Sequence, residues 1–249
     1  MTLIADPWFW AIGIFAVLLT GISKAGLGGG AGGVSTPLLS LVISPVSAAA
    51  IMLPVLCVMD VFGIRAYLWQ WERAVARRIV AGGLIGCVLG ALTFRALDEN
   101  WIRILLGVIA LGFLGFSHLS RKMPSQPSAR AGVFWSALSG YTSFVTHAGG
   151  PPMMVYLLPL RMAKQTFIAT SLVFFAAMNY AKILPYLWLG LFDARNLATS
   201  AALLPAGIAG IYLGVWLQRR IEPRAFYAVV HTLLFLTGTK LLYDGLSNL

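Results

Sequence analysis

Residues 24–37 read KAGLGGGAGGVSTP, six glycines in fourteen positions with a proline closing the run. No helix continues comfortably through such a stretch, because glycine gives up the most backbone entropy on ordering and proline removes a backbone donor. The surrounding chain makes the interruption decisive. Of 249 residues, 59% are hydrophobic and only 10% charged, against about 25% charged in soluble domains, and the mean hydropathy is +0.84. Irregular backbone at membrane depth persists only where protein or a water-filled cavity covers it. The stretch therefore predicts an all-α polytopic membrane protein with at least one interrupted helix.

A second interruption, THAGGPP, occupies residues 146–152. Apolar stretches at 46–64, 78–94, 101–119, 166–189 and 224–243 approach or reach the roughly 20 residues that cross a hydrocarbon core. The chain also repeats. At an offset of 119, Met59-Asp60 matches Met178-Asn179, and Tyr67-Leu68-Trp69 matches Tyr186-Leu187-Trp188. At an offset of 124, Gly83, Gly86 and Gly90 match Gly207, Gly210 and Gly214. The expected organisation is a first repeat over 1–121, a polar linker over 122–131 and a second repeat over 132–249.

The net charge of +10 reads as cytoplasmic loop charge and not as a nucleic-acid surface. Basic residues cluster at 65–78 (Arg65, Arg73, Arg77, Arg78), 121–130 (Arg121, Lys122, Arg130), 161–164 (Arg161, Lys164) and 219–224 (Arg219, Arg220, Arg224). Placing all four inside makes residues 132–160 a hairpin, full or re-entrant, and puts both termini outside. The two repeats then have inverted topology, the plan of many secondary transporters. Each comprises a Gly-rich broken helix or re-entrant hairpin followed by three transmembrane helices. For residues 8–43, hairpin and single broken span both remain open. Asp6 is the one charge at the N-terminus, so no cleavable signal peptide is expected. Cys57 and Cys87 lie in apolar segments without motif spacing and read as inert buried thiols.

Matching breaks in two halves point to a transport site. Broken helices expose amides and a partial positive charge that suit an anion. The expected substrate-binding residues are Lys24, Gly29, Gly30, Gly32, Gly33, Ser35 and Thr36 in the first half. Thr146, His147, Gly149, Gly150, Pro151 and Asn179 join them from the second. Lys24 supplies charge, the hydroxyls supply donors, and Pro37, Pro151 and Pro152 suit the first turn of a restarting helix. Asp60 and Asn179 are repeat mates inside predicted spans. Asp60 and His147 are the candidates for coupling to a proton. Lys182 lies near the outer end of its span, where snorkelling and an inward role weigh equally. Gly83, Gly86, Gly90 and their mates read as helix-packing glycines.

Other chemistries lack their signatures. Residues 28–33 satisfy G-x-G-x-x-G, but no strand precedes them and no acidic residue follows at the right distance. Neither a nucleotide-binding loop nor any other cofactor motif is present. His147 has no ligand-spaced partner for a metal.

The motifs GLGGGAGGVSTPLL at 26–39 and THAGGPPMMVYLL at 146–158, in a chain of two such halves, resemble the TauE/SafE family of sulfite and organosulfonate permeases. The resemblance covers essentially the whole chain. It implies a non-enzymatic carrier moving a small sulfur oxyanion or sulfonate across the bacterial cytoplasmic membrane, often as export. Two alternatives stand beside it. One is an intramembrane enzyme, with Ser35 and His147 as an imaginable nucleophile–base pair, and the other is an anion channel.

Overall fold

The computed structural model describes residues 3–29, 34–119, 127–218, 220 and 223–248. Gly30, Gly32 and Gly33 of the first break, and Arg121 and Lys122 of the linker, lie outside the described residues. Within them the chain is helical, without a strand. The first half contains α1 (Pro7–Leu27), α2 (Ser35–Leu39), α3 (Pro45–Ala66), α4 (Arg73–Thr93) and α5 (Glu99–Leu119). The second contains α6 (Ala129–Thr146), α7 (Gly150–Leu157), α8 (Lys164–Trp188), α9 (Ala194–Leu217) and α10 (Pro223–Ser247). Among the described residues, five helices are long and apolar enough to cross a membrane: α1, α3, α4 with its 3-10 extension to Ala96, α8 and α9.

Side-chain caps set the helix starts. Asp6, Ser44, Ser128 and Asp193 accept from amides in the first turns of α1, α3, α6 and α9, each satisfying a donor the helix leaves open. Proline follows the cap in α1 and α3, where its missing amide matters least. Two boundaries differ from the sequence reading. Glu72 accepts from the Ala74 amide at 3.4 Å and starts α4 at Arg73. Arg73, Arg77 and Arg78 therefore ride on the first turns of a helix, and the loop shrinks to 67–72. Ser128 likewise starts α6 at Ala129, so Arg130 is helical and the linker ends before residue 129.

Both halves open with a chain that doubles back. A β-carbon on Gly13 would lie 3.5 Å from Leu39, which places the far end of α2 beside the first turns of α1. In the second half Ser139 Oγ donates to the Gly149 carbonyl at 2.5 Å, and a β-carbon on Gly132 would meet the Tyr156 ring at 2.6 Å. Position 149 thus lies beside 139, and 156 beside 132, so α7 runs antiparallel along α6. At eight residues α7 is only about 12 Å long.

Packing between the halves is reciprocal. Helix α1 packs on α9 as α6 packs on α4, α3 contacts α9 as α8 contacts α4, and α5 pairs with α10. The glycines at 83, 86, 90, 207, 210 and 214 make these approaches possible. A β-carbon on Gly86 would overlap the Ala137 carbonyl oxygen, and one on Gly210 would sit 2.7 Å from the Leu18 carbonyl oxygen. Backbone on the facing helix has nowhere to go. Gly86→Val is therefore expected to destabilise by at least the 1–3 kcal/mol typical of overpacking (about that range), whereas Gly112→Ala, which faces open space, is expected to be tolerated. Melting temperatures of the purified variants in detergent check the pair. Equal stability would contradict the close α4–α6 approach.

Candidate functional site

The helix ends created by the two breaks meet in the interior. Helix α1 closes on Gly28, at φ +70°, and α6 closes on His147, at φ +56°. These residues are 119 apart, so the same left-handed cap recurs at the same place in each repeat. Glycine takes that conformation freely. A histidine there is unusual, and its side chain explains the choice. His147 Nε2 lies 2.9 Å from the Ala49 carbonyl, and Nδ1 lies 2.8 Å from Lys182 Nζ. A carbonyl only accepts, so Nε2 carries the proton and Nδ1 accepts from the lysine.

Two tyrosines repeat the symmetry. Tyr67 Oη donates to the Ala25 carbonyl, and Tyr186 Oη donates to the Phe144 carbonyl at 2.6 Å. Donors and acceptors are both 119 apart. Each tyrosine satisfies a carbonyl that the last helical turn leaves open, and each fastens the tip of its hairpin to the helix that follows.

Around these tips sits a charged cluster. Lys24 of α1 forms a buried ion pair with Asp60 of α3, and the other Asp60 oxygen accepts from Asn179 Nδ2 of α8 at 2.7 Å. The repeat mates Asp60 and Asn179 therefore touch. Lys182, one turn beyond Asn179, is fully buried. This settles against snorkelling: its ammonium points inward, to the Ser143 carbonyl at 3.0 Å, Ser143 Oγ at 3.1 Å and His147. Lys182 and Ser143 are site residues the sequence reading did not assign. Ser143 is the repeat mate of Lys24, and that correspondence was the signal available.

A cavity of about 20 Å³ lies among Thr20, Lys24, Gly29, Ser143, His147 and Asn179, with Gly150 and Phe175 also on its wall. That is room for about one water. Five hydroxyls near the first break, on Thr20, Ser23, Ser35, Thr36 and Ser171, are buried without a hydrogen-bond partner among the described residues. Such groups cost free energy unless something binds them. The second break differs. Thr146 Oγ1 donates to the Thr142 carbonyl at 2.8 Å and is already engaged. Pro151 and Pro152 contribute no donors to the start of α7, which leaves its glycine amides. Ser35 is not paired with His147, both of whose ring nitrogens have other partners, so the imagined nucleophile–base pair is not formed.

Residues 13–241 match the profile of a family described as sulfite exporter TauE/SafE. The chain belongs to the TauE/SafE family. Comparison with curated proteins and with solved structures returned no match. TauE/SafE is a transporter family, and with five apolar helices long enough to span, this member is a multi-pass membrane protein.

Proposed function

We propose that the protein is a secondary carrier for a small sulfur-containing anion of the sulfite or organosulfonate class, exported across the cytoplasmic membrane. The observation that carries this reading is the buried cluster. Two lysines and one carboxylate are interior, and among the described residues five unpartnered hydroxyls lie near the first break. Such a site recognises a compact oxyanion by charge and by several hydrogen bonds at once. The substrate sits between the hairpin tips, touching Lys24, Thr20 and the Gly29, Ser143 and Gly150 region.

The hairpins also support the two-repeat plan. If each returns to the side it entered from, and three helices follow, the second half is inverted relative to the first. Both termini then lie outside, and the basic connections lie in the cytoplasm. Alternating access follows from motion of one half against the other across the reciprocal α1–α9 and α4–α6 contacts. The small cavity suits a closed state of such a cycle better than an open pore. Export is the direction the family description suggests.

The test is ligand-induced thermal stabilisation of the purified protein by sulfite, thiosulfate, sulfate, taurine, sulfoacetate, acetate and chloride. A ligand at about 100 times its dissociation constant stabilises by roughly 2.7 kcal/mol. The expected result is a shift selective for the sulfur anions. Well-folded protein that responds to none of them would overturn the site.

A further inference from the structure

The buried charges around the cavity do not balance. Three charged side chains are interior among the described residues: Lys24 at 4% exposure, and Asp60 and Lys182 at zero. Asp60 answers Lys24. Lys182 has no such partner. Its three acceptors, the Ser143 carbonyl, Ser143 Oγ and His147 Nδ1, match the three protons of an ammonium, and all are uncharged. The Ala49 carbonyl holds the histidine proton on Nε2 and Nδ1 accepts from the Lys182 ammonium, so the imidazole is neutral. One positive charge is left unanswered in a region where a lone charge is costly.

Resting on the anion-carrier reading, we infer that the site is balanced for one net negative charge. A monoanion such as a sulfonate or bisulfite binds alone, and a dianion binds together with one proton taken by Asp60. Asp60 is the interior carboxylate, and protonating it releases Lys24 toward the ligand. The groups facing it are Lys24 from α1 and Lys182 and Tyr180 from α8, with Cys57 one turn away on α3 itself; His147 at the end of α6 faces Lys182 and Lys24 instead. Helix α9 brings Tyr212 only against Phe62, with its ring largely exposed. Helix α2 has no titratable side chain, and Arg103 of α5 is engaged with Glu99. Both nitrogens of His147 are committed, which leaves Asp60 to take the proton.

The experiment is calorimetric titration of the wild-type protein with methanesulfonate, a monoanion throughout the neutral range, and with sulfate, a dianion throughout it. Each titration is run in buffers of different ionisation enthalpy and at several pH values. Methanesulfonate is expected to bind without proton uptake and with flat affinity. Sulfate is expected to take up about one proton and to weaken about tenfold for each unit of pH rise. Asp60→Asn removes that slope. Equal proton uptake for the two anions, or sulfate binding with none, overturns the charge balance and leaves anion binding intact. Sulfate that fails to bind even at the acid end, beside bound methanesulfonate, overturns the proton arm. If neither anion nor sulfite binds, the carrier reading falls and this inference with it.

Discussion

Replacing Lys24 with methionine is expected to lower stability by about 3–5 kcal/mol, the range for removing one partner of a buried ion pair, and to abolish anion binding. Asp60 is fully buried and gives one oxygen to Lys24 and the other to Asn179. Without the lysine its fully buried charge keeps only the Asn179 amide as a hydrogen-bond partner. The double variant Lys24→Met/Asp60→Asn removes both charges and is expected to recover most of the stability, since an asparagine there still has Asn179 to bond. Binding should not return with it, because the cation lining the cavity is gone. Melting curves and ligand-induced shifts on the same preparations separate the two effects. A single variant as stable as wild type would show that the pair is not buried as described, and a double variant that still binds sulfur anions would remove Lys24 from the site.

Lys182→Met is expected to abolish anion binding with a far smaller loss of stability. Removing this lysine strands His147 Nδ1, at roughly 1–3 kcal/mol for an unsatisfied group, while the Ser143 carbonyl keeps the His147 amide at 3.0 Å. It also removes an interior charge with no carboxylate against it, whose desolvation is worth several kcal/mol in the opposite sense (order of magnitude). The two terms offset. Chemical or thermal denaturation beside the Lys24 variant checks the ordering. A Lys182 variant as unstable as Lys24→Met would mean that an anionic group answers Lys182 after all.

Much of the fold was legible because membrane burial leaves the chain few options. Long apolar stretches could only be helices, and the glycine runs mark where α1 ends at Leu27 and α6 at Thr146. Helix boundaries were less legible, since Glu72 at the start of α4 looks in sequence like any loop acid beside arginines. At the site, the repeat offset brought Asp60 and Asn179 forward as a pair, and they are in contact. Lys182 was ambiguous because a lysine in the last two turns of a helix can reach water or turn inward, and only the acceptors on α6 decide. Ser143 is one serine among several until the offset sets it opposite Lys24. The tyrosines at 67 and 186 were visible as repeat mates, but their bonds to Ala25 and Phe144 follow from the hairpin tips reaching the next helix.

The contact between Asp60 and Asn179 makes the two halves non-interchangeable. A chain assembled from two first halves would press two aspartates together at that point, and carboxylates so close hold a proton between them. One assembled from two second halves would bring two asparagines together and bury two copies of Lys182 with no carboxylate in the centre. Only the mixed pairing sets a single carboxylate against an amide, beside one buried copy each of Lys24 and Lys182. If the gene arose by duplication, its two copies have since specialised into an acid-bearing and an amide-bearing partner. Recombination between them, however similar their backbones, would yield a folded shape without a working centre.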